Sequence, residues 1–153
     1  MSLDRLTIVV PTYERQKFIS RQIEFWSKSP VNLVILDGSK DPYKNIKKIL
    51  NKKIIYHHSP TPIEQRLYNS LDLINTDYVA MISDDEFFIH SALETCIQFL
   101  DKNSDFSTCK GQSIGFYFEN NRVLGRSVYP GLKGYTIKNN KSNHRIRKHL
   151  FNY

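Results

Sequence analysis

Four short apolar runs rich in β-branched residues divide the first half of the chain at regular intervals. Runs of this length and composition predict strands that are buried on both faces of a sheet. The segments between them carry apolar residues at helical spacing. We therefore predict strands over residues 6–11, 31–37, 52–58 and 77–83, and helices over 15–28, 42–50, 61–74 and 91–100.

Three of these helices carry recognisable start signals. Thr61-Pro62-Ile63-Glu64 and Ser91-Ala92-Leu93-Glu94 have the capping-box pattern, a hydroxyl residue followed three positions later by glutamate. Asp41 and Pro42 suit the N-cap and the first helical position. We expect Thr61, Ser91 and Asp41 to cap their helices.

Alternation of buried strands with helices predicts an α/β fold with a mostly parallel central sheet. From residue 105 the pattern changes to strands, over 105–111 and then in a hairpin over 112–127 with Asn120-Asn121 at its turn. Residues 129–153 are polar, basic and weakly patterned, and we assign no element to them.

The polar residues with chemical potential follow three of the predicted strands. Thr12 to Arg15 follow the first strand, Asp37 to Ser39 the second, and Asp84 to Glu86 the fourth. Ligands of open parallel sheets bind beyond the carboxyl ends of the strands. The acidic triplet could hold Mg²⁺ or Mn²⁺ together with a substrate phosphate, or it could be a solvated turn that leads into the next helix.

Two further positions allow both a binding role and a structural one. Asp37, before Gly38, could accept a hydrogen bond from a base or ribose, but Asp-Gly-Ser is also ordinary turn chemistry. Arg66 could pair with a phosphate in a bidentate manner, or it could be a surface arginine of its helix.

Charge is distributed unevenly along the 153 residues. Residues 1–110 hold 14 basic and 14 acidic residues, whereas residues 111–153 hold 8 basic residues and Glu119 as the one acid. The excess of +7 suggests an anionic partner, which could be phosphate, nucleic acid or an anionic membrane surface; a solvated basic tail is at least as consistent with it. The two cysteines suggest no disulfide framework and no zinc site, and a reducing cytoplasm is expected.

The motifs taken in order resemble those of the family 2 glycosyltransferases, which have the GT-A fold. "IVVPTYER" is similar to that family's first strand and loop, and "VILDGSKD" to its second strand and turn. "RLYNSLDLINTDYVAMISDDEFF" resembles its helix, strand and DxD-type metal motif, and "ALETCIQFLDKNSDFSTCKGQ" the segment that follows in one bacterial branch. The resemblance covers about residues 5–115 and implies a Rossmann-like nucleotide-sugar-binding domain over 1–110. Residues 111–153 would be a partial acceptor side with a β-hairpin and a basic tail.

The resemblance also implies roles for individual residues. Asp85 would be the principal ligand of a divalent metal, Mn²⁺ or Mg²⁺, with Glu86 as a further ligand, and Asp84 would contact the ribose or the metal. Asp37 would bind the base, Ser39 would shape its turn, and Arg66 would lie near the base or the diphosphate. The base and ribose would also be lined by Pro11, Thr12, Tyr13 and Glu14.

The implied reaction is metal-dependent, inverting transfer of a sugar from a nucleotide diphosphate, such as a UDP-sugar, to an acceptor hydroxyl of a glycan or a lipid-linked molecule. Inversion requires a general base on the acceptor side, and Glu119 is the only carboxylate after Asp105. Either Glu119 is that base, or the chain is a truncated or non-catalytic nucleotide-sugar-binding module. We expect a cytoplasmic protein without a specific nucleic-acid partner. Arg145, Arg147, Lys148 and His149 could contact a diphosphate or the anionic lipid of the inner membrane face, or they could form a basic surface without a ligand, which we slightly favour.

Overall fold

A computed structural model of the chain describes residues 2–46, 52–128 and 136–151. Short 3₁₀ helices occupy Ser2–Arg5 and Leu71–Leu73. The strands are β1 (Leu6–Thr12), β2 (Asn32–Asp37), β3 (Ile54–His58), β4 (Tyr78–Met81), β5 (Ser113–Glu119) and β6 (Arg122–Val128). The helices are α1 (Gln16–Trp26), α2 (Ile63–Asn69), α3 (His90–Lys102) and α4 (Ser142–Phe151).

The first four strands form one parallel sheet in the order β3-β2-β1-β4, which confirms the predicted α/β architecture. β1 and β2 lie at its centre, and their residues are buried almost continuously, as the apolar runs predicted. The register pairs Thr12 with Asp37 at the carboxyl ends of β1 and β2. The order of the strands therefore brings the loops after β1, β2 and β4 to one edge of the sheet.

Helices and loops cover both faces of the two central strands, β1 and β2. The prediction of burial on both faces is wrong for the edge strands β3 and β4, where Ile55, Val79 and Met81 are exposed. On one face α1 contributes Ile19, Ile23 and Trp26, and α3 adds Leu93 and Ile97. Each of these side chains contributes roughly 1.5–3 kcal/mol when it is fully removed from water. A smaller cluster on the other face packs Val9, Val34 and Leu36 against Leu67, Leu73 and Ile74. The two layers hold the sheet rigid, so the loops at its edge start from fixed positions.

The structure corrects several predicted element boundaries. Residues 105–111 do not form a strand: a turn joins Phe106 N to Asn103 O after α3, and the Phe106 ring packs on Phe99. The basic tail contains a helix, α4, which its weak pattern of apolar residues did not predict. The predicted helix over 42–50 is wrong for residues 42–46, which contain a turn with Ile46 N bonded to Tyr43 O at 3.3 Å, so Asp41 caps no helix that starts at Pro42. Residues 47–50 lie outside the described residues.

The capping predictions for Thr61 and Ser91 are wrong. α2 begins at Ile63, because Pro62 holds an extended backbone with ψ 152°, and no side chain caps the helix. α3 begins at His90, so Ser91 is already inside the first turn. The expected single helix over 61–74 ends at Asn69 and is followed by the 3₁₀ turn at Leu71–Leu73.

The chain forms two compact units, Met1–Gln98 and Phe99–Tyr153, and the division between them falls within α3. In the second unit β5 and β6 pair as the predicted antiparallel hairpin. Asn120 and Asn121 both have positive φ, 48° and 60°, as a two-residue hairpin turn requires. The expected division into a donor side and an acceptor side after residue 110 remains a prediction. None of the described helices is both long and apolar enough to cross a bilayer.

Candidate functional site

The loop after β1 is tied to the loop after β2. Glu14 has a left-handed backbone with φ 53°, which is uncommon for a residue with a side chain. Its amide donates to Ser39 Oγ (2.8 Å), and its carboxylate Oε1 accepts from the amide of Lys40 (2.8 Å). These bonds over-determine the turn, and they leave Tyr13 64% exposed at the edge of the sheet.

The acidic segment after β4 is neutralised by an arginine of the β1 loop. Arg15 Nη1 lies 2.9 Å from Asp84 Oδ1, and Arg15 Nη2 donates to Asp85 Oδ2 at 2.8 Å. Thr12 Oγ1 donates to the other oxygen of Asp84 at 2.6 Å, so the buried Asp84 carboxylate is bonded on both oxygens. Two adjacent like charges are tolerated at this edge because one guanidinium bridges them.

This bridge changes the ionisation of both partners. The hydrogen bond from Arg15 holds the pKa of Asp85 below its ordinary value, with the arginine's charge adding to the effect. The hydrogen bond to Asp85 in turn raises the pKa of Arg15, with the charges of both aspartates acting in the same direction. At neutral pH Asp85 is therefore ionised, and it is paired with a cation of the chain's own.

Gln22 of α1 holds the backbone of the acidic segment in place. Its side chain is fully buried, and its Nε2 donates to the carbonyl oxygens of Asp84 (2.9 Å) and Glu86 (2.8 Å). Trp26 Nε1 donates to Gln22 Oε1 at 2.9 Å. Sequence reasoning missed Gln22 as part of this site, and it included Arg15 only in the polar stretch after the first strand, without a role. A polar residue on the apolar face of α1, beside Ile19 and Ile23, was the available signal for Gln22.

The Asp37 carboxylate, expected to bind a nucleotide base, is fully buried. Its Oδ1 accepts from Ser39 N (2.9 Å), and its Oδ2 accepts from the Tyr56 hydroxyl (2.6 Å). The Tyr56 oxygen also accepts from Tyr43 N at 2.7 Å. Burial, with the hydrogen bond to Asp37 adding to it, raises the pKa of Tyr56. Asp37 thus organises the turn that follows β2 through protein partners on both of its oxygens.

Arg66 is buried as well, and its guanidinium binds main-chain carbonyl groups. It donates to the carbonyl oxygens of Leu36 (2.5 Å), Thr12 (2.9 Å) and Thr61 (3.1 Å). A Cβ on Gly38 would lie 2.5 Å from Arg66 Cζ, so the glycine makes room for the guanidinium. Arg66 therefore joins the carboxyl ends of β1 and β2 and places a positive charge beneath the site.

The remaining predicted residues are less engaged with this cluster. Pro11 precedes Thr12 at the end of β1 and is half-buried. The side chain of Glu86 is exposed, and its amide donates to Ser83 O at 3.2 Å. Glu119 is exposed at the end of β5, next to the hairpin turn, in the second unit.

Asp84 and Asp85 supply two carboxylates of the hard oxygen type that Mg²⁺ and Mn²⁺ prefer. Within the described ranges, no group of three or more His, Cys, Asp or Glu residues converges as a metal site. Two carboxylates suit a cation that takes its other ligands from water and a diphosphate. Asp85 is 45% exposed, which leaves it accessible to such an ion, although Arg15 now bonds to both carboxylates.

The cluster combines the exposed ring of Tyr13, the carboxylates of Asp84 and Asp85, the bridging guanidinium of Arg15 and the buried guanidinium of Arg66 at the carboxyl edge of a parallel sheet. A comparison with curated proteins returns no match. The sequence model described as "Glycosyl transferase family 2" matches residues 7–151, which is nearly the whole chain. The chain therefore belongs to the family 2 glycosyltransferases.

Proposed function

We propose that this chain binds a nucleotide-diphosphate sugar, with UDP as the expected nucleotide, at the carboxyl edge of the parallel sheet. The proposed reaction transfers the sugar to an acceptor hydroxyl with inversion. Membership of the family supports a glycosyltransferase-type activity. The single observation that carries the location is the direct bonding of Thr12, Arg15, Asp84 and Asp85 across the ends of β1 and β4.

Each part of the edge has a role in this proposal. The exposed ring of Tyr13 offers a stacking surface for the base, next to Pro11, Thr12 and Glu14. Asp37 acts with Ser39 to fix the turn against which the base and ribose lie. The buried charge of Arg66 makes the electrostatic potential at the strand ends more favourable for a diphosphate.

A divalent metal fits this scheme through Asp85, with Asp84 beside it and Glu86 as a further candidate. When bound, Mn²⁺ or Mg²⁺ would neutralise charge on the departing diphosphate. The protein's own contribution is to hold Asp84 and Asp85 on a fixed strand end. Gln22 fixes the segment's backbone, and Thr12 fixes the Asp84 carboxylate.

A non-catalytic donor-binding module is the second candidate, and the position of Glu119 favours it. A general base has to reach the acceptor oxygen, whereas Glu119 is an exposed residue at a hairpin tip. No other carboxylate follows Asp105 in these 153 residues. This candidate predicts that UDP-sugars bind but are not turned over.

Association with an anionic membrane is a further part of the proposal. α4 contains Arg145, Arg147 and Lys148, no acidic residue, and the exposed apolar side chains of Ile146 and Leu150. Each basic residue near an anionic surface contributes about 1 kcal/mol. Sedimentation with phosphatidylglycerol vesicles should capture the protein, and phosphatidylcholine vesicles should not. Equal capture by both lipids would contradict this part.

Calorimetric titration with UDP tests the donor site, and release of UDP from UDP-sugars tests turnover. We expect UDP to bind more tightly with Mn²⁺ than without it, and Asp85→Asn to remove that difference. Asp77→Asn is the matched control, because Asp77 also pairs with an arginine, Arg5, but precedes β4 at the opposite end of the strand.

The outcomes separate the two candidates. Turnover that is lost in Glu119→Gln supports the transferase with Glu119 as its base. Binding without turnover of any UDP-sugar supports the donor-binding module. Equal UDP affinity in wild type and Asp85→Asn, with and without Mn²⁺, would reject the metal role.

A further inference from the structure

Arg15 is held in a defined position between the two carboxylates. Its guanidinium spans adjacent residues, with one nitrogen on Asp84 and the other on Asp85. The guanidinium carbon also lies 4.0 Å from the centre of the Phe18 ring, a cation–π distance. Two ion pairs and an aromatic ring together restrict the Arg15 side chain, so it has little conformational entropy left to lose. The arrangement is therefore a well-defined contact.

The guanidinium and a divalent cation require the same oxygen atoms. Asp84 is buried, and its two oxygens are taken by Thr12 and Arg15. Asp85 presents one oxygen to Arg15, and its side chain is 45% exposed. A cation that binds both carboxylates would face the positive charge of Arg15 at contact distance, which is unfavourable. Arg15 and a divalent cation therefore cannot bind the carboxylates of Asp84 and Asp85 at the same time.

We propose that Arg15 is the resident counter-ion of Asp84 and Asp85 and that it exchanges with a divalent cation. When a divalent cation takes the carboxylates, the guanidinium is released toward the diphosphate of the donor. This inference rests on the proposed donor site and adds a residue to it. A guanidinium fork that matches two carboxylate oxygens matches two phosphate oxygens equally well.

The position of Arg15 in the fold allows this exchange. It directly precedes α1 and follows Glu14, whose left-handed backbone is fixed by the β2 loop. The backbone is therefore anchored, while the side chain is 40% exposed and needs only to rotate. The exchange replaces one set of charge-assisted bonds with another and leaves no buried carboxylate without a cation.

The test is a titration with Mn²⁺ alone, in which electron paramagnetic resonance measures the concentration of free Mn²⁺. Arg15→Met should bind Mn²⁺ at least about tenfold more tightly than wild type, because the competing charge is gone. Arg5→Met is the matched control: Arg5 also pairs with an aspartate, Asp77, and its guanidinium carbon lies 5.1 Å from the Tyr78 ring centre. Its Mn²⁺ affinity should equal that of wild type.

A second variant separates direct competition from general electrostatics. Arg21 acts on Asp85 through charge alone, whereas Arg15 both bonds to it and acts through charge. Arg21→Met should therefore raise Mn²⁺ affinity much less than Arg15→Met. In the presence of Mn²⁺, Arg15→Met should bind UDP severalfold more weakly than wild type, because the released guanidinium is missing.

Unchanged or weaker Mn²⁺ binding in Arg15→Met would overturn the exchange, as would equal effects of the Arg15 and Arg21 variants. If Arg15→Met does not fold, the wild type provides the test. The nitrogen-15 signals of its Arg15 guanidinium should shift when Mg²⁺ is added. Unshifted signals at saturating Mg²⁺ would overturn the exchange. Mn²⁺ binding that is insensitive to Asp85→Asn would also overturn it, because the ion then lies elsewhere. The donor proposal fails separately, by absence of UDP binding in wild type.

Discussion

Replacement of Gln22 by leucine removes the polar link between α1 and the acidic segment. The two side chains have similar size, so the change keeps the volume of the buried site and deletes its hydrogen bonds. Gln22 bonds to the carbonyl oxygens of Asp84 and Glu86 and to the indole nitrogen of Trp26, at 2.8–2.9 Å. The substitution therefore tests whether α1 positions the carboxylates.

The structure sets the size of the expected loss of stability. The bonds to Asp84 O and Trp26 Nε1 are buried, and each group left without a partner costs about 1–3 kcal/mol. The Glu86 oxygen is only partly buried, so water can replace its donor at small cost. Burial of the leucine returns about 1–2 kcal/mol. We expect Gln22→Leu to lower the free energy of unfolding by about 2–4 kcal/mol.

Urea denaturation of wild type, Gln22→Leu and the control Gln65→Leu measures this effect. Gln65 is exposed, and its side-chain nitrogen donates to Asn69 Oδ1 at 2.9 Å, so its loss should change stability by no more than about 0.5 kcal/mol. UDP affinity should also fall in Gln22→Leu and stay unchanged in Gln65→Leu. Equal stability of the two variants would refute the positioning role of Gln22.

Two further predictions concern the same edge. Gly38→Ala should lower the free energy of unfolding by about 1–3 kcal/mol, because its Cβ would collide with the anchored guanidinium of Arg66. The control Gly111→Ala has open space at its Cβ and should change thermal stability little. Equal melting temperatures of the two variants would contradict this prediction. Asp85 should titrate below its ordinary pKa in carbon-13 spectra, so its stabilising contribution is present above about pH 4 and is lost as pH falls through the lowered pKa. Arg15→Met should move that midpoint upward, and an unmoved midpoint would exclude the Arg15 bond as the cause.

The sheet was predictable because its strands carry their signal locally. Runs such as residues 6–11 and 31–37 are apolar on both faces, and only a strand covered by helices buries both. The hairpin was equally readable, since Asn120-Asn121 suits the positive φ of its turn. Residues 105–111 misled the prediction because strand-like composition alone cannot supply a pairing partner.

The side-chain bonds of the site could not be read from the sequence. The motifs indicated that Thr12, Asp37 and Asp84 would gather at one edge, and the register of β1 with β2 and β4 does bring them there. The burial of Asp37 depends on Tyr56, which comes from another strand. The pairing of Arg15 with Asp84 likewise joins residues far apart in the chain. Such contacts follow from the packing of the whole sheet and not from local pattern.

Chemical-shift mapping of UDP binding on the nitrogen-15-labelled chain, with Mg²⁺ present, tests the central claim most directly. We predict the largest amide shifts in the loops at residues 12–15, 37–39 and 83–86, at the carboxyl ends of β1, β2 and β4. Amides at the opposite end of the sheet, such as Asp77 and Tyr78, should be unaffected. The largest shifts at that opposite end, or none anywhere at saturating UDP, would contradict a donor site at the carboxyl edge.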